Sequence, residues 1–461
     1  MDRAGETQAM KQPIAAELAA RVAKARTREI PRELRETLER LLIDIGGLAV
    51  AARRTDYVEA AIKSWDAQGN GTAIGHAQAL DAAGAAFVNG TAAHGEDFDD
   101  TFEGGPVHAG AVIVPALLAA AERRGIGGND LLLGLAVGVE VTCRASLVAP
   151  KKIHQAGFHP TAVLGAMGAA AGVAAALKVD EATFASAQGI AGSMASGIIE
   201  YLAEGTSTKR MHPGWAAQAG LRAVELARAG FAGPRTVWEG THGFLHGFAN
   251  TTEGAWDKLI GDFGERWVAR TIAFKPYACG TMIHPYIDCA RRLAKNDIVP
   301  GDVAEIVCET AEGIVHRLWE PLDLKRKPPN AYSAKFSIPF CVGYGLLYGH
   351  VGLDAFTEAT VRDPQVSWLA SKVSYQVDPG NPYPDEYTGH VRIRMKDGRV
   401  LEERQPHLRG GQREPLTRAD IEEKFRANCE YGQWDPARIE AWLAFAREAF
   451  DRPVDLKAFR G

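Results

Sequence analysis

The sequence predicts a mainly α-helical protein, in which a large all-helical domain is built from both chain ends and a smaller α+β domain is inserted late. Apolar residues recur at three- and four-residue spacing through most of the first half and again near the end, as in amphipathic helices. Between these parts the chain carries short β-branched runs and a hairpin signal. We therefore predict a helical domain from 1–268 and 408–461 and an α+β domain from 269–407.

The first helices are predicted where "IAAELAARVAKA" and "RELRETLERLLIDIGGLAVAA" show helical periodicity. Pro31 suits the first turn of the second helix, because that turn leaves the N–H that proline lacks unbonded. The stretch "GGNDLLLGLAVGVEVTCRA" starts at a predicted cap, Asn129 or Asp130, and is then apolar on nearly every face. This pattern indicates a buried helix.

Residues 161–199 consist mostly of alanine and glycine with some serine and methionine. Glycine within a helix costs about 1 kcal/mol relative to alanine. Several glycines together therefore favour helices that cross at close range, where a larger side chain would clash. Asp180 is predicted to cap a second helix in this run. The main interpretation is a tightly packed helical core.

The pattern changes after about residue 268. The runs "VAEIVCET" and "SKVSYQV" are short and β-branched, which predicts strands. Alternating apolar residues on both sides of Asp397-Gly398 predict a β-hairpin. After His407 the helical pattern returns, with Thr417 and Asp435 as predicted caps.

Composition excludes several classes of protein. The formal net charge is −5 with interspersed signs, which gives no argument for a nucleic acid or an anionic membrane as partner. Apolar runs stay below the ~18 residues of a membrane span, and the start shows no signal-peptide pattern. The six cysteines form no CxxC pair, and no GxGxxG after a strand, GxxxxGK[ST] or GxSxG is present. We predict a cytoplasmic protein with free thiols whose chemistry uses side chains alone, since the search for cofactor motifs is negative.

The segment from His94 to His108 carries five carboxylates, with alanine-rich apolar sequence on both sides. A divalent metal could be bound there, although the spacing matches no established ligand motif. Asp99 and Asp100 could instead cap a helix or pair with buried arginines. In the third interpretation a carboxylate and His108 exchange protons with a substrate, because burial and like charge raise carboxylate pKa values into a useful range. The residues alone leave these alternatives open.

Three further stretches carry candidate chemistry. His159 precedes a proline and a predicted helix, whose free N–H groups suit a ligand carboxylate. A core histidine bonded to a carbonyl is the alternative. Lys209 follows Thr208 in a Gly-Thr-Ser-Thr turn, so hydroxyls and a cation are available for an anionic group. Lys275 and His284 bracket a Gly-Thr turn at the start of the predicted α+β domain.

Together these stretches resemble the MmgE/PrpD family, which includes 2-methylcitrate dehydratase, cis-aconitate decarboxylase and iminodisuccinate epimerase. The resemblance spans nearly the whole chain. It implies a large helical domain, a smaller inserted α+β domain, and a homodimer without metal or organic cofactor. The motifs that carry it, in chain order, are "NGTAAHGEDFDDT", "GFHPTAVLGAMGAAAG", "GTSTKRMHPGWAAQAG" and "FKPYACGTMIHPYIDCA".

The resemblance also implies a set of site residues. They are the carboxylate and threonine of the acid motif, the histidine soon after it, the His-Pro histidine, the Thr-Lys lysine and the histidine after the cysteine-glycine turn. In this chain these residues are Asp97, Thr101, His108, His159, Lys209 and His284. Two features depart from many relatives: "EGGPVHAG" is one residue longer than their His-Pro-Ser segment, and Phe340 stands where they have a tyrosine. The missing hydroxyl weakens an assignment to the decarboxylase or methylcitrate reaction itself.

The predicted substrate is a small anionic carboxylate, since the family's reactions remove or add a proton at a carbon next to a carboxylate. The enediolate formed needs cations and N–H groups placed at its oxygens. Lys209 and His159 suit that role, and Thr101, Thr208 and Lys275 are predicted to bind the substrate.

Proton transfer is assigned to three other residues. We predict His108 as the base, with Asp97 orienting it or sharing the proton. His284 is predicted to protonate a departing hydroxyl or the opposite face of the carbanion. The leading prediction is a hydro-lyase that dehydrates a 2-methylcitrate-like hydroxy acid. The alternatives are an epimerase of an iminodisuccinate-like dicarboxylate and a metal-dependent or non-catalytic binding protein.

Overall fold

The computed structural model describes residues 12–26, 29–105, 107–296 and 298–461. The described chain is mainly helical with small sheets, which confirms the predicted helical character. It divides into two compact units. Unit 1 comprises the chain up to Gly95, Thr101–Arg270 and Trp434–Gly461, and unit 2 comprises Glu96–Asp100 and Thr271–Gln433. The predicted boundaries, 1–268 with 408–461 and 269–407, stay a prediction. The N-terminal stretch without a signal-peptide pattern lies outside the described residues, except for its last few positions.

Unit 1 is built mainly from helices. None of the helices in the described part of the chain is long and apolar enough to cross a bilayer. The helices of unit 1 that precede unit 2 are α1 (Ile14–Ala25), α2 (Arg32–Ala52), α3 (Asp56–Lys63), α4 (Ala82–Gly95), α5 (Gly110–Arg124), α6 (Asn129–Ser146), α7 (Lys152–Gln155), α8 (Pro160–Ala176), α9 (Glu181–Met194), α10 (Tyr201–Glu204), α11 (Thr208–Arg228), α12 (Phe244–Ala249) and α13 (Asp257–Ile260).

Glycines mark the places where the helices of unit 1 approach most closely. A Cβ atom on Gly214 of α11 would lie 2.0 Å from the carbonyl oxygen of Phe87 on α4. One on Gly168 of α8 would lie 1.9 Å from Oγ1 of Thr142 on α6. These distances are far below van der Waals contact, so glycine is required at both crossings. The interpretation of the alanine- and glycine-rich run as a tight helical core is confirmed.

Unit 1 also contains short strands that the sequence analysis did not predict. They are β1 (Gln68–Thr72), β2 (Ala79–Leu80) and β3 (Thr101–Phe102). The first two pair antiparallel. Thr72 of β1 donates two hydrogen bonds, from its backbone N–H and its hydroxyl, to the carboxylate of Glu122 on α5. A long-range contact of this kind leaves no periodic signal in the sequence.

Unit 2 combines helices with one four-stranded sheet. The strand order is β6-β5-β7-β8, with β5 and β6 parallel and the other pairs antiparallel. The elements of unit 2 are β4 (Ile272–Ala273), α14 (His284–Leu293), β5 (Val303–Thr310), α15 (Glu312–Leu318), α16 (Leu322–Arg326), α17 (Ala331–Ala334), α18 (Ile338–Tyr348), α19 (Glu358–Val361), α20 (Pro364–Lys372), β6 (Val373–Val377), β7 (Gly389–Met395), β8 (Val400–Gln405) and α21 (Arg418–Tyr431). The chain then returns to unit 1 with α22 (Pro436–Glu448).

Most of the predicted turns and caps are confirmed. Strands β7 and β8 form the predicted hairpin, in which Gly398 takes a φ of +91° that favours glycine. The side chains of Asp180, Thr417 and Asp435 each accept a backbone N–H at the start of a helix. The predicted cap of α6 is wrong, because Asn129 is already helical and the preceding Gly128 occupies the cap position.

Candidate active site

Helices α4, α8 and α11 bring histidines together in unit 1. His94 lies in the last turn of α4, His159 immediately precedes α8, and His212 lies in the second turn of α11. His108 precedes α5, and its backbone N–H donates to Oγ1 of Thr161 on α8 at 3.2 Å. We call His94, His108, His159 and His212 the imidazole cluster.

The rings of the imidazole cluster are in contact. The ring centroid of His94 lies 5.0 Å from that of His108 and 5.7 Å from that of His159. The His159 and His212 centroids are 5.3 Å apart, and their Nδ1 atoms are separated by 3.1 Å. Because a hydrogen bond between two Nδ1 atoms needs one donor and one acceptor, the two rings are in different tautomers when both are neutral.

Burial keeps two of these imidazoles neutral. Desolvation is the main cause that lowers the pKa of His159 well below 6.5, and the positive charges of His94, Lys209, His212 and His108 add to it. Desolvation and the charges of His94 and Lys209 lower the pKa of His212 to about 4. Both rings are therefore unprotonated at neutral pH and have a lone pair available.

Lys209 and Tyr201 complete the polar surroundings of the cluster. Lys209 lies one helical turn before His212 on α11, so both side chains lie on the same face. The ring of Tyr201 packs edge-on against His159 and His212, with centroid distances of 6.2 and 5.7 Å. The cluster and its surroundings thus combine imidazoles, a phenol and one ammonium group.

The backbone near Gly197 approaches the cluster closely. Its carbonyl accepts the N–H of His159 at 2.9 Å, and its φ is +125°. A Cβ atom at this position would lie 2.5 Å from Cβ of Ala162 and 3.4 Å from the His212 ring. Glycine is required here both for the backbone conformation and for space.

The acid run is held in unit 2 by buried lysines. Nζ of Lys335 donates to the carbonyl and carboxylate of Glu96, each at 2.7 Å. Nζ of Lys275 donates to the carbonyl of Asp97 at 2.8 Å and to its Oδ1 at 3.0 Å. We call these lysines, with Lys424, the lysine clasp.

Lys424 completes the lysine clasp. Its Nζ donates to the carbonyl of Phe98 at 2.7 Å and lies 3.9 Å from the centroid of that ring. Three consecutive carbonyls, of residues 96, 97 and 98, therefore accept hydrogen bonds from ammonium groups. Buried backbone oxygens need such partners where no helix or sheet provides them.

The clasp stabilises an uncommon backbone conformation at Asp97. Its φ is +56°, which costs a non-glycine residue about 1 kcal/mol or more. Asp97 is 5% exposed and Lys275 is 2% exposed, so their ion pair is shielded from water. Asp97 therefore sits in a fixed position with its charge compensated within unit 2.

His284 begins α14 and is fully buried. Its Nε2 lies 3.2 Å from the carbonyl oxygen of Cys279, and the ring of Tyr277 packs edge-on at 5.3 Å. Burial alone would raise the pKa of the Cys279 thiol, but a hydrogen bond from Cys341 and the charges of His284 and Lys275 lower it to about 6. The Cys279 thiol therefore lies beside His284 with a lowered pKa.

Each predicted site residue has a definite place. His108, His159 and Lys209 come together in unit 1, while Asp97 and Lys275 pair in unit 2. The other predicted residues are Thr101 in β3, which is half-buried, Thr208, which is exposed as the first residue of α11, and His284 at the start of α14. Phe340 is 1% exposed and packs against aromatic rings of Tyr344 and Phe356.

The predicted site residues included neither His94 and His212 of the imidazole cluster nor Lys335 and Lys424 of the lysine clasp. They also omitted Tyr201, which packs against the cluster. Lys209 and His212 were predicted to lie in a loop before a helix, but both lie in α11, where their three-residue spacing places them on one face. His94 lies 65 residues before His159, and Lys335 lies 239 residues after Glu96. No local pattern indicates contacts at such separations.

Two family models match the chain. The model described as the MmgE/PrpD N-terminal domain matches residues 16–256. The model described as the MmgE/PrpD C-terminal domain matches residues 277–442. Together they cover most of the chain, including every predicted site residue except Lys275, which lies between the two matched ranges.

Several curated proteins are similar to the chain over most of its length. It is 32% identical to cis-aconitate decarboxylase of Mus musculus over 354 residues, which cover 75% of this chain and 71% of the relative. The identity to cis-aconitate decarboxylase of Homo sapiens is 32% over 366 residues, with 76% and 73% covered. A cis-aconitate decarboxylase-like protein of Aspergillus oryzae is 26% identical over 437 residues, which cover 90% of each chain.

Proposed function

Because the chain belongs to the MmgE/PrpD family, we propose that it is a lyase acting on a di- or tricarboxylic acid, with cis-aconitate as the first candidate substrate. The curated relatives named as cis-aconitate decarboxylases support this choice of substrate. The observation that carries the proposal is the imidazole cluster beside Lys209. It offers both a proton acceptor and a cation, which chemistry next to a carboxylate requires.

The imidazoles supply proton transfer. In decarboxylation the bond to CO₂ breaks, and an imidazolium of the cluster donates its proton to the carbanion that remains; the imidazole is then reprotonated from water. In dehydration or epimerisation a neutral imidazole instead takes the proton from carbon. General acid–base catalysis of this kind contributes about 10²–10⁴-fold in rate. His108 is half-buried, whereas His159 is fully buried. Of the two, His108 is therefore the proposed group that meets the substrate, and His159 a group that passes the proton on.

Lys209 links substrate binding to base strength. Its positive charge helps to lower the pKa of both His159 and His212. A substrate carboxylate beside Lys209 would offset that charge and raise the pKa of the imidazoles. The bases therefore become stronger when the substrate is bound, which matches their pKa more closely to neutral pH.

The start of α8 provides a second binding element for carboxylates. His159 is the last residue before this helix, which is 17 residues long. The N-terminal end of a helix of this length carries a partial positive charge. Pro160 has no N–H, and the N–H groups of Ala162 and Val163 donate to the carbonyl of His159, so this charge is the main contribution of the helix start. Together with Lys209 it would stabilise the charge that develops on a substrate carboxylate when the neighbouring carbon loses a proton or CO₂.

Two other reactions use the same groups and stay proposals. A hydro-lyase would transfer one proton from carbon to a base while an acid protonates the departing hydroxyl. An epimerase would return the proton to the opposite face. Phe340 bears on this choice, since it places a buried phenyl ring where many relatives have a hydroxyl.

The test is an NMR assay in D₂O with cis-aconitate, 2-methylcitrate and iminodisuccinate as separate substrates. Decarboxylation gives CO₂ and a product with deuterium at carbon, and supports the leading proposal. A new alkene from 2-methylcitrate would replace it with the hydro-lyase. If the substrate instead exchanges a carbon-bound hydrogen for deuterium and is otherwise unchanged, the epimerase would replace the leading proposal. Turnover of none of these acids would contradict the proposal.

We further propose that the enzyme works without a metal or organic cofactor, as a homodimer in the cytoplasm. Activity that survives EDTA would support the absence of a metal requirement, and loss of activity would restore the metal-dependent alternative. Light scattering on the purified protein distinguishes a dimer from a monomer.

A further inference from the structure

Unit 2 contains a cavity of about 540 Å³, whose lining includes none of the residues of the imidazole cluster. One face of α21 forms one wall, and Arg291 of α14 and residues 350–354 form part of the others. This volume lies within the range of about 300–1,000 Å³ that is typical of small-molecule sites. We call it the α21 cavity.

The floor of the α21 cavity is apolar. It is formed by side chains that are each at most 6% exposed, namely Phe98, Tyr277, Val351, Leu353 and Leu416. A floor of this kind favours a ligand with an apolar body, because such a ligand removes both surfaces from water.

A buried amide lacks a partner in this cavity. Asn428 lines the cavity and is 3% exposed, and its Nδ2 has no hydrogen-bond partner among the described residues. An unsatisfied buried donor costs about 1–3 kcal/mol, so its retention calls for an explanation. A ligand oxygen bound at this amide provides one.

Charges in the cavity are separated by depth. Lys424 and Asn428 are buried and lie four residues apart, in one row along α21. Glu423 and Glu430 are exposed and lie in the adjacent row, with the small Ala427 between them. Along α21 the amide and the ammonium group therefore lie inside, and the carboxylates lie at the mouth. Two other carboxylates of the lining are already paired, Asp354 with His350 and Asp420 with Arg409.

Arg291 adds a fixed guanidinium to the wall. Its Nε donates to the carbonyl of Gly349 at 3.0 Å and its Nη1 donates to the hydroxyl of Tyr277 at 2.7 Å. These two bonds restrain the planar group, so a carboxylate that reaches it meets a preorganised partner.

We propose that the α21 cavity binds a free apolar α-amino acid. Its carboxylate accepts hydrogen bonds from Asn428 and Arg291, its ammonium group pairs with Glu423 and Glu430, and its side chain covers the apolar floor. A simple carboxylic acid would leave the carboxylates at the mouth unpaired, and a simple amine would leave the inner donors unpaired. The zwitterion satisfies both.

Matched probes test this charge pattern by isothermal titration calorimetry. L-leucine is compared with isocaproate, which lacks its amino group, and with isopentylamine, which lacks its carboxylate. We expect L-leucine to bind at least about tenfold more tightly than either, because each probe loses a charge-assisted bond. The same series is run with L-phenylalanine, 3-phenylpropanoate and 2-phenylethylamine.

Two variants locate the bound ligand. Asn428→Leu should remove amino acid binding. The double variant Glu423→Gln with Glu430→Gln should lower the affinity for L-leucine to the affinity that the unmodified chain has for isocaproate. Since these glutamates are exposed, the double variant tests the site without threatening the fold. Glu448→Gln, at an exposed position in unit 1, is the matched control and should bind as the unmodified chain does.

The proposal is overturned if no amino acid binds, if isocaproate binds as tightly as L-leucine, or if the double variant binds L-leucine unchanged. Binding is measured without turnover, so the result does not depend on the proposed lyase activity.

Discussion

Unit 1 gathers imidazoles beside one another, whereas unit 2 places carboxylates beside ammonium groups. In the imidazole cluster, burial and mutual repulsion lower the pKa of His159 and His212, so the charge is removed. In the lysine clasp, Lys275 and Lys335 each bond a carboxylate and the carbonyl of the same residue, so opposite charges are paired.

This difference suggests that the imidazole cluster serves catalysis and that the lysine clasp stabilises the fold. Neutral imidazoles in contact can exchange protons with each other or with a substrate, and their loss removes few strong contacts. The clasp works only while it is charged, because its ammonium groups compensate buried carboxylates. We therefore expect substitutions in the cluster to affect turnover and substitutions in the clasp to affect the free energy of unfolding.

The largest expected effect is on turnover. His108→Asn should lower kcat by about 10²–10⁴-fold, because the amide can neither donate a proton to the carbanion left by CO₂ nor accept one from carbon. The melting temperature should stay within about 2 °C of the unmodified chain, since a partly exposed substitution changes stability little. Both quantities are measured on the same preparation, with the substrate that the NMR assay identifies.

His246→Asn is the matched control for this variant. His246 is an exposed histidine of unit 1 and packs against the ring of His242. Its replacement should leave kcat unchanged. Equal losses in both variants, or unfolding of the His108 variant, would remove the assigned role of His108.

The next largest effect is on stability. Lys275→Met should destabilise the protein by about 3–5 kcal/mol, because it leaves the Asp97 carboxylate buried without its ammonium partner. Urea unfolding measures the shift of the midpoint. Lys63→Met is the control, since Lys63 pairs with Glu59 at 3.1 Å on the exposed surface and should lose less than about 1 kcal/mol. Similar losses in the two variants would show that burial does not strengthen the clasp.

The sequence predicted local features more completely than these long-range groups. Asp180, Thr417 and Asp435 were identifiable as caps because each bonds a backbone N–H two or three residues ahead. His159 was recognised from the proline that follows it. The contact between His94 and His159 depends instead on how α4 packs with α8 and α11, and the partner of Glu96 on a lysine 239 residues later. Such contacts arise from the packing of helices, which spacing along one segment does not specify.

The third prediction concerns pH. The pKa of His212 is about 4 in the folded chain, against an ordinary value of 6.5. Above pH 6.5 the ring is neutral in both states, and between 6.5 and 4 the unfolded chain binds a proton that the folded chain does not. As the pH falls from 6.5 to 4, His212 therefore lowers the free energy of unfolding, by about 3 kcal/mol over the whole window. Below pH 4 the loss is complete.

His212→Asn tests this assignment, because asparagine does not titrate. Unfolding free energies of the variant and the unmodified chain are compared from pH 7 to about 4.5. The free energy of unfolding should fall less steeply with decreasing pH in the variant than in the unmodified chain. Parallel curves would mean that His212 takes up a proton equally in both states, and would contradict the neutral cluster.

The smallest expected effect is at Lys335. Lys335→Met should cost about 1–3 kcal/mol, less than Lys275→Met, because the Glu96 carboxylate is 21% exposed and can be rehydrated. Adding Glu96→Gln to this variant removes the uncompensated charge and should recover part of the loss. Urea unfolding of the two single variants and the double variant gives the coupling energy between these residues. A coupling near zero would mean that Lys335 holds the acid run through the Glu96 carbonyl alone, so that charge compensation in the clasp would rest on Lys275.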